Sequence, residues 1–242
     1  THVDGSVDPL RDAATVETEL MLADIDSLER RMTALMKKTR GGDADAKRDL
    51  TMMEKLFAEL SDGVPARSVA GLSDDETRRL PHMQLLSAKP VLYVCNVAEG
   101  DAATGNDHSQ AVATYAEKDG AAHVVVSAAI EAEITQLDAD DKAEYLAELG
   151  LDEAGLERLI RAGYGLLDLL TFFTAGPKEA RAWTVAAGSR APEAAGVIHT
   201  DFQRGFIRAE TISFDDYIAC KGESGARDAG KLRVEGADYK VV

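Results

Sequence analysis

Cysteine is scarce in this chain: Cys95 and Cys220 are the only two among 242 residues. Such a pair cannot build a disulfide framework and lacks metal-ligand spacing, so a reducing cytosol is the simple inference. No apolar run approaches the roughly 20 residues that span a bilayer. The opening Thr1-His2-Val3-Asp4-Gly5 has neither a basic nor an apolar leader region. The expectation is a soluble, cytoplasmic protein with no membrane partner. Basic residues are also in short supply, 27 Lys and Arg against 43 Asp and Glu, a formal charge of -16. That balance argues against a surface that grips nucleic acid throughout, and DNA is not an expected partner. Nowhere is there a Gly-x-x-x-x-Gly-Lys-Ser/Thr loop, a Gly-x-Gly-x-x-Gly fingerprint, a His-Glu-x-x-His or a Gly-x-Ser-x-Gly. Internal repeats and low-complexity tracts are absent too.

What is present suffices for real cores: 45% hydrophobic and 29% charged residues fit one large domain or two to three smaller ones. The acidity is local. Residues 61–167 hold 19 of the acidic residues against 8 basic ones. Between Glu29 and Asp49, by contrast, Arg30, Arg31, Lys37, Lys38, Arg40, Lys47 and Arg48 outnumber four acids.

From Ala14 to Lys38, Val16, Leu20, Leu28, Met32 and Leu35 recur at three- and four-residue spacings without Gly or Pro, which predicts a long amphipathic helix. Gly41-Gly42-Asp43 interrupts it, and Leu50, Met53, Leu56, Phe57 and Leu60 resume the period. The second helix is expected to fold back as an antiparallel hairpin, with the basic cluster near its tip. Solvated faces with no partner explain such a charge run equally well. Ser73 to Glu76 reads as a capping box. Two apolar runs, Val91 to Cys95 and Ala122 to Val126, flank a helical stretch from Ser109 to Lys118, the signature of a parallel sheet covered on both faces. Helical pattern returns after Asp138. Beyond Leu167 the period becomes two: Thr171 to Thr174 and Ala180 to Val185 predict a hairpin opening an α+β module, with Phe172, Phe173 and Trp183 as its core. A short helix within Pro192 to Asp201, a strand from Phe206 to Ile212 and a helical turn from Phe214 to Cys220 follow.

In such sheets, ligands collect at the carboxyl ends of the strands. One run ends in Asn96-Val97-Ala98-Glu99 and the other in Ser127-Ala128-Ala129-Ile130-Glu131. An amide at position 96 can donate and accept on a purine edge, a carboxylate three residues on can accept from ring or exocyclic N–H groups, and the small Ser-Ala-Ala turn lets a base lie flat. The same residues also serve as plain strand-to-helix turns. Glu131 reads as a helix-start carboxylate complementing the macrodipole. His82, His108, His123 and His199 show no ligand spacing and are expected to be structural or exposed, and Cys95 to be a structural strand cysteine.

These two turns resemble the last two nucleotide motifs of P-loop GTPases, Asn-Lys-x-Asp and Ser-Ala-x, except that Val97 replaces the Lys and Glu99 the guanine-reading Asp. Asn-x-x-Glu at this place resembles the Obg-like ATPase family, YchF in bacteria, which prefers ATP to GTP. The resemblance runs through His2 to Pro9, Glu17 to Asp24, Lys37 to Asp43, Lys89 to Val94, Arg161 to Tyr164, Thr171 to Gly176, Arg181 to Thr184 and Ile198 to Phe202. It implies a partial P-loop NTPase-type α/β sheet in residues 1–13 and 61–167, an inserted helical hairpin (coiled coil) in 14–60, and a TGS domain, a ubiquitin-like β-grasp module, in 168–242. It further implies that the P-loop, the switch segments and the Mg²⁺ ligands precede this sequence, that a final strand follows Val242, and that this chain alone is inactive.

By resemblance, His2 positions or activates the attacking water, while Asn96, Val97, Glu99, Ser127, Ala128 and Ala129 hold the base of ATP. Arg30, Arg31, Lys37, Lys38 and Arg40 form the nucleic-acid-binding face of a ribosome-associated ATPase that turns ATP into ADP and phosphate. The alternative is a non-catalytic module that binds RNA or protein through the hairpin and the last domain. None of the implied site residues is a metal ligand.

Overall fold

The computed structural model describes residues 6–242, and the chain divides into two compact units, one ending at Gly163 and the other spanning Tyr164–Val242. In the first unit, helix α1 runs Pro9–Thr39. It starts ahead of the apolar periodicity because its end is set by a cap: Asp8 accepts the N–H of Arg11 at 3.1 Å, and Pro9 occupies the first turn. Gly42 turns the chain at φ +86°, and Asp43 caps α2, Ala44–Ser61, by accepting from Asp45 and Ala46 at 3.0 Å. The helices fold onto each other as expected, with Met21 and Leu28 buried against Met52, Met53, Leu56 and Leu60.

A 3₁₀ turn at Ala66–Ser68 leads to α3, Asp74–Met83, whose capping box pairs Ser73 with Glu76 as its sequence predicts. Arg67 in that turn is 14% exposed and bonds Glu17 of α1 and Asp119 of the same unit. Strand β1, Leu92–Asn96, is joined to β2, Ala122–Val126, through α4, Asp107–Asp119. The strands pair in parallel, from Leu92 opposite Ala122 to Asn96 opposite Val126. Helix α4 meets the face of Tyr93, whose ring lies edge-on to Tyr115 at 5.8 Å. On the opposite face Val124 is buried but Val94 is 48% exposed, so β1 is not covered on both faces by the described residues. An uninterrupted apolar run cannot report which of its members lacks a neighbour. Helices α5, Ala128–Ile134, α6, Ala139–Glu148, and α7, Gly155–Leu166, complete this part of the chain.

The second unit is α+β. Strands β3, Leu169–Ala175, and β4, Ala180–Ala186, form the expected hairpin, with Phe172 opposite Trp183. Helix α8, Ala191–Ile198, packs on β4 and buries Ala191 and Ala194, and α9, Thr200–Arg204, follows. Phe172 and Trp183 are half-buried, but Phe173 is 57% exposed rather than in the core, its ring against Phe214 at 5.5 Å. Strand β5 is only Ala209–Thr211, shorter than its apolar run, because its antiparallel partner β6, Arg233–Glu235, offers three residues, and Ile207 remains exposed. Helices α10, Phe214–Ala219, and α11, Glu223–Asp228, lie between these strands. Near the C-terminus, Ala191 donates to the Tyr239 carbonyl and Val241 to that of Ser189. Among the described residues no helix is long and apolar enough to cross a membrane.

Candidate functional site

Because β1 and β2 are parallel and in register, their carboxyl ends lie side by side, and the two polar turns begin as neighbours. The ladder continues one step past the strands, Val97 donating to the Val126 carbonyl at 2.9 Å. Beyond it a side chain takes over: Asn96 Oδ1 accepts the N–H of Ala128 at 3.0 Å. This bond satisfies one of the donors that the start of α5 leaves open and stitches one turn to the other. Asn96 is exposed, and its Nδ2 donors carry no hydrogen bond among the described residues.

Ser127 occupies the N-cap of α5 without capping it. The residue is 2% exposed and its Oγ has no hydrogen-bond partner. An unpaired buried hydroxyl costs free energy, so it marks a place where a partner is wanted. Ala128 and Ala129 are exposed and small, leaving room over the turn.

Glu99 begins a 3₁₀ turn, Glu99–Asp101, and is exposed. Ala102 ends that turn inside an apolar cluster with Ile130 and Ile134 of α5, Leu146 of α6, Leu151 and Ala154. One small core thus anchors both turns. The charge around Glu99 is negative. Tyr145, whose hydroxyl donates to Glu133, has its pKa pushed up to about 12 by that bond, by burial, and by Glu133, Glu99 and Glu148. Burial also pushes the Cys95 thiol upward. Glu131, read from sequence as a macrodipole partner, has a more specific contact: its Oε1 accepts the N–H of Gly155 at 2.6 Å. No local pattern connects residues 131 and 155, and the one available hint was a glycine opening an otherwise regular helical stretch.

The basic side chains separate into two groups. Lys37 and Lys38 in the last turn of α1 and Arg40 at its C-cap are exposed together at the hairpin tip. Arg31, about 9 Å back along the helix from Lys37 at 1.5 Å per residue, turns inward and donates to the Met83 carbonyl at 2.6 Å. Arg30 is exposed, with Nε on the Asp26 carbonyl at 3.2 Å. His2 lies outside the described residues. His82, His108 and His123 are exposed, and His199 caps α9 through Nδ1, which accepts from Asp201 at 3.2 Å.

A family model described as YchF-GTPase_C, "Protein of unknown function (DUF933)", matches residues 169–242. The "Ribosome-binding ATPase YchF" of Haemophilus influenzae is 51% identical over 240 residues, 99% of this chain. The chain belongs to the YchF/Obg-like ATPase family. The YchF protein of Bacillus subtilis is 44% identical over 243 residues, and the "Obg-like ATPase 1" of Rattus norvegicus 37% over 246. A solved structure titled "Structure of the Schizosaccharomyces pombe YchF GTPase" superposes with a TM-score of 0.83 at 31% identity, over 100% of this chain and 66% of that one. The chain spans 66% of the length of the Haemophilus and Bacillus YchF proteins and 62% of the rat protein. Both strand-end turns and the helical hairpin fall in the part that aligns with YchF. Among the described residues no three His, Cys, Asp or Glu side chains converge as a metal needs. The described residues therefore do not by themselves present a full ligand set for Mg²⁺.

Proposed function

We propose that this chain supplies the base-reading and partner-docking parts of a ribosome-associated ATPase that hydrolyses ATP to ADP and phosphate. The observation that carries the reading is the pair of stitched turns: Asn96 holds Ala128 through Oδ1, keeps Nδ2 available, and stands beside a buried Ser127 hydroxyl with no partner. A purine edge presents donors and acceptors that match an amide, a hydroxyl and a carboxylate. Glu99 is assigned to adenine through the Asn-x-x-Glu resemblance, its carboxylate accepting from the exocyclic amino group of the base. Val97 contributes an apolar side chain where Asn-Lys-x-Asp GTPases carry a Lys, and Ala128 and Ala129 leave the base room to lie flat. Residues 168–242 are read as the TGS module of β-grasp type, supported by the β3–β4 hairpin with α8 laid on β4.

Phosphoryl transfer rests on positioning and charge neutralisation around the phosphates. These 242 residues contain no Gly-x-x-x-x-Gly-Lys-Ser/Thr loop, so by themselves they bind the base without hydrolysing ATP, and Mg²⁺ belongs with that loop. His2 is kept as the residue that orients the attacking water. Ribosome docking, and with it a cytoplasmic location, is assigned to Lys37, Lys38 and Arg40 with Arg30, whose exposed charges can neutralise phosphates. Arg31 stands behind them as a structural cation.

The deciding experiment exchanges base selectivity in a chain completed with a P-loop. Glu99→Asp together with Val97→Lys is expected to move preference from ATP toward GTP by at least about tenfold, the loss expected when a polar recognition pair is mismatched. Unchanged ATP-to-GTP ratios in nucleotide-binding titrations would reject the assignment. For docking, Lys37→Glu with Lys38→Glu and Arg40→Glu is expected to abolish co-sedimentation with ribosomes at physiological salt.

A further inference from the structure

Behind the stitched turns is a layer of contacts that base recognition does not itself require. Glu131 is on the first turn of α5, four residues after Ser127, and its Oε1 takes the N–H of Gly155, the first residue of α7. Gly155 is buried, and a Cβ there would stand 2.9 Å from that Oε1 and 3.2 Å from Cβ and Cγ1 of Val126, the last residue of β2. The glycine lets the α7 backbone touch the end of β2 and the carboxylate at once. A carboxylate on a helix's first N–H combines a charge-assisted hydrogen bond with the positive end of the helix dipole. Ser127 does not cap α5, so the position of α5 depends on outside ties. Asn96 holds it in front through Ala128, Glu131 holds it behind through Gly155, and Ile130 packs between, 1% exposed.

We propose that Glu131 is a positioning residue for the purine pocket: with Gly155 as its anchor, it sets where the Ser127 hydroxyl and the Ala128 and Ala129 amides stand relative to Asn96. The proposal rests on reading the turns as that pocket. It predicts that loss of a distant hydrogen bond will be felt at the base.

The test is backbone amide NMR of the 242-residue chain, wild type and the variants Glu131→Ala, Glu131→Gln and Gly155→Ala, each titrated with adenosine. In the wild type adenosine is expected to shift amides in residues 96–99 and 127–129. Glu131→Ala and Gly155→Ala should displace the 127–129 amides before ligand is added and weaken adenosine by about tenfold, the size of one hydrogen bond to a charged group. Glu131→Gln retains a carbonyl acceptor and should recover most of both. Overturning the proposal requires that Glu131→Ala and Gly155→Ala, with dispersed, folded spectra, leave the 127–129 amides unmoved. A wild-type chain that ignores adenosine would instead sink the purine reading, while the ligand-free amide positions would still decide whether Glu131 holds the turn.

Discussion

Cys95 immediately precedes Asn96, so its state bears on the turn. The reactive form of cysteine is the thiolate, and burial raises the Cys95 pKa above its ordinary value of 9.0. Iodoacetamide at pH 7.5 is therefore expected to modify Cys95 several-fold more slowly in the native protein than in urea, as followed by mass spectrometry of its peptide. Equal rates would mean that this strand end opens freely. The same neighbourhood shows what single residues disclose in a sequence. Asn96 and Ser127 were legible because each follows an apolar run, where a parallel strand must end. Glu131 was not, since a carboxylate in a first helical turn is already explained by the dipole, and its partner lies 24 positions away. Phe173 was misplaced for a different reason. Alternation in a hairpin says that half the residues face a core, but two adjacent aromatics leave open which half.

Between elements, the decisive junction is Arg67. Its guanidinium bonds Glu17 of α1 and Asp119 of α4, and Tyr115 of α4 donates to Glu17 at 3.2 Å. Burial works against the charge, yet the hydrogen bonds to Asp119 and Glu17 outweigh it and hold the group above its ordinary pKa. The same burial, with the nearby negative charges, pushes Tyr93 up to about 12. Seven residues along α1, buried Asp24 accepts from Leu86 and Ser87 backbone N–H groups at 2.8 Å and from the Ser87 hydroxyl at 2.6 Å. Glu17 and Asp24 stand two turns apart on one helix face, so the hairpin is held at its base by two polar clamps. Arg67→Ala leaves two carboxylates half-buried and uncompensated, and is expected to cost about 3 kcal/mol in urea unfolding. Glu17→Gln with Asp119→Asn beside it should return part of that loss. Neither clamp was legible, because its members are scattered over α1, the 3₁₀ turn, the loop before β1, and α4.

The cap of α3, by contrast, could be read from four letters, and it makes a pH prediction. Glu76 accepts from the Ser73 N–H at 2.7 Å and its hydroxyl at 2.9 Å, and these bonds, with the charge of Lys55, hold its carboxyl below the ordinary 4.5. A depressed carboxylate contributes stability above its unfolded pKa and loses it as pH falls through the folded value. Wild type is thus expected to exceed Glu76→Gln in stability at pH 6, with the difference shrinking below about pH 4.5, as measured by thermal unfolding.

At the scale of the whole molecule, the two units differ in how well they bury apolar surface. The first holds the long hairpin core, where Leu28 and Leu56 are fully buried, and the smaller cluster behind the turns. The second, from Tyr164 on, has Val185, Ala191, Ala194 and Ala226 as its buried apolar residues, while Phe173, Phe202, Ile207, Phe214 and Ile218 are exposed. Stability follows apolar area removed from water, at about 25 cal/mol per Å², so the second unit is the weaker. This ranking was not available from composition, since the aromatics that promise a core in the second unit are largely those left on its surface. The chain carries its own two reporters. Trp183, the single tryptophan, lies in β4 with Nε1 donating to Thr174 at 2.9 Å and Arg181 over its ring at 4.2 Å, so its fluorescence follows the second unit. Ellipticity at 222 nm is dominated by the helices of the first unit, where α1 and α2 have 31 and 18 residues while α8 to α11 of the second have 8, 5, 6 and 6, and it follows the first. In a guanidinium titration the fluorescence midpoint should precede the ellipticity midpoint, and two probes that fail to coincide signify more than two states. Superimposable curves would mean that the units unfold as one cooperative body, and that the exposed aromatics of the second unit do not measure its weakness.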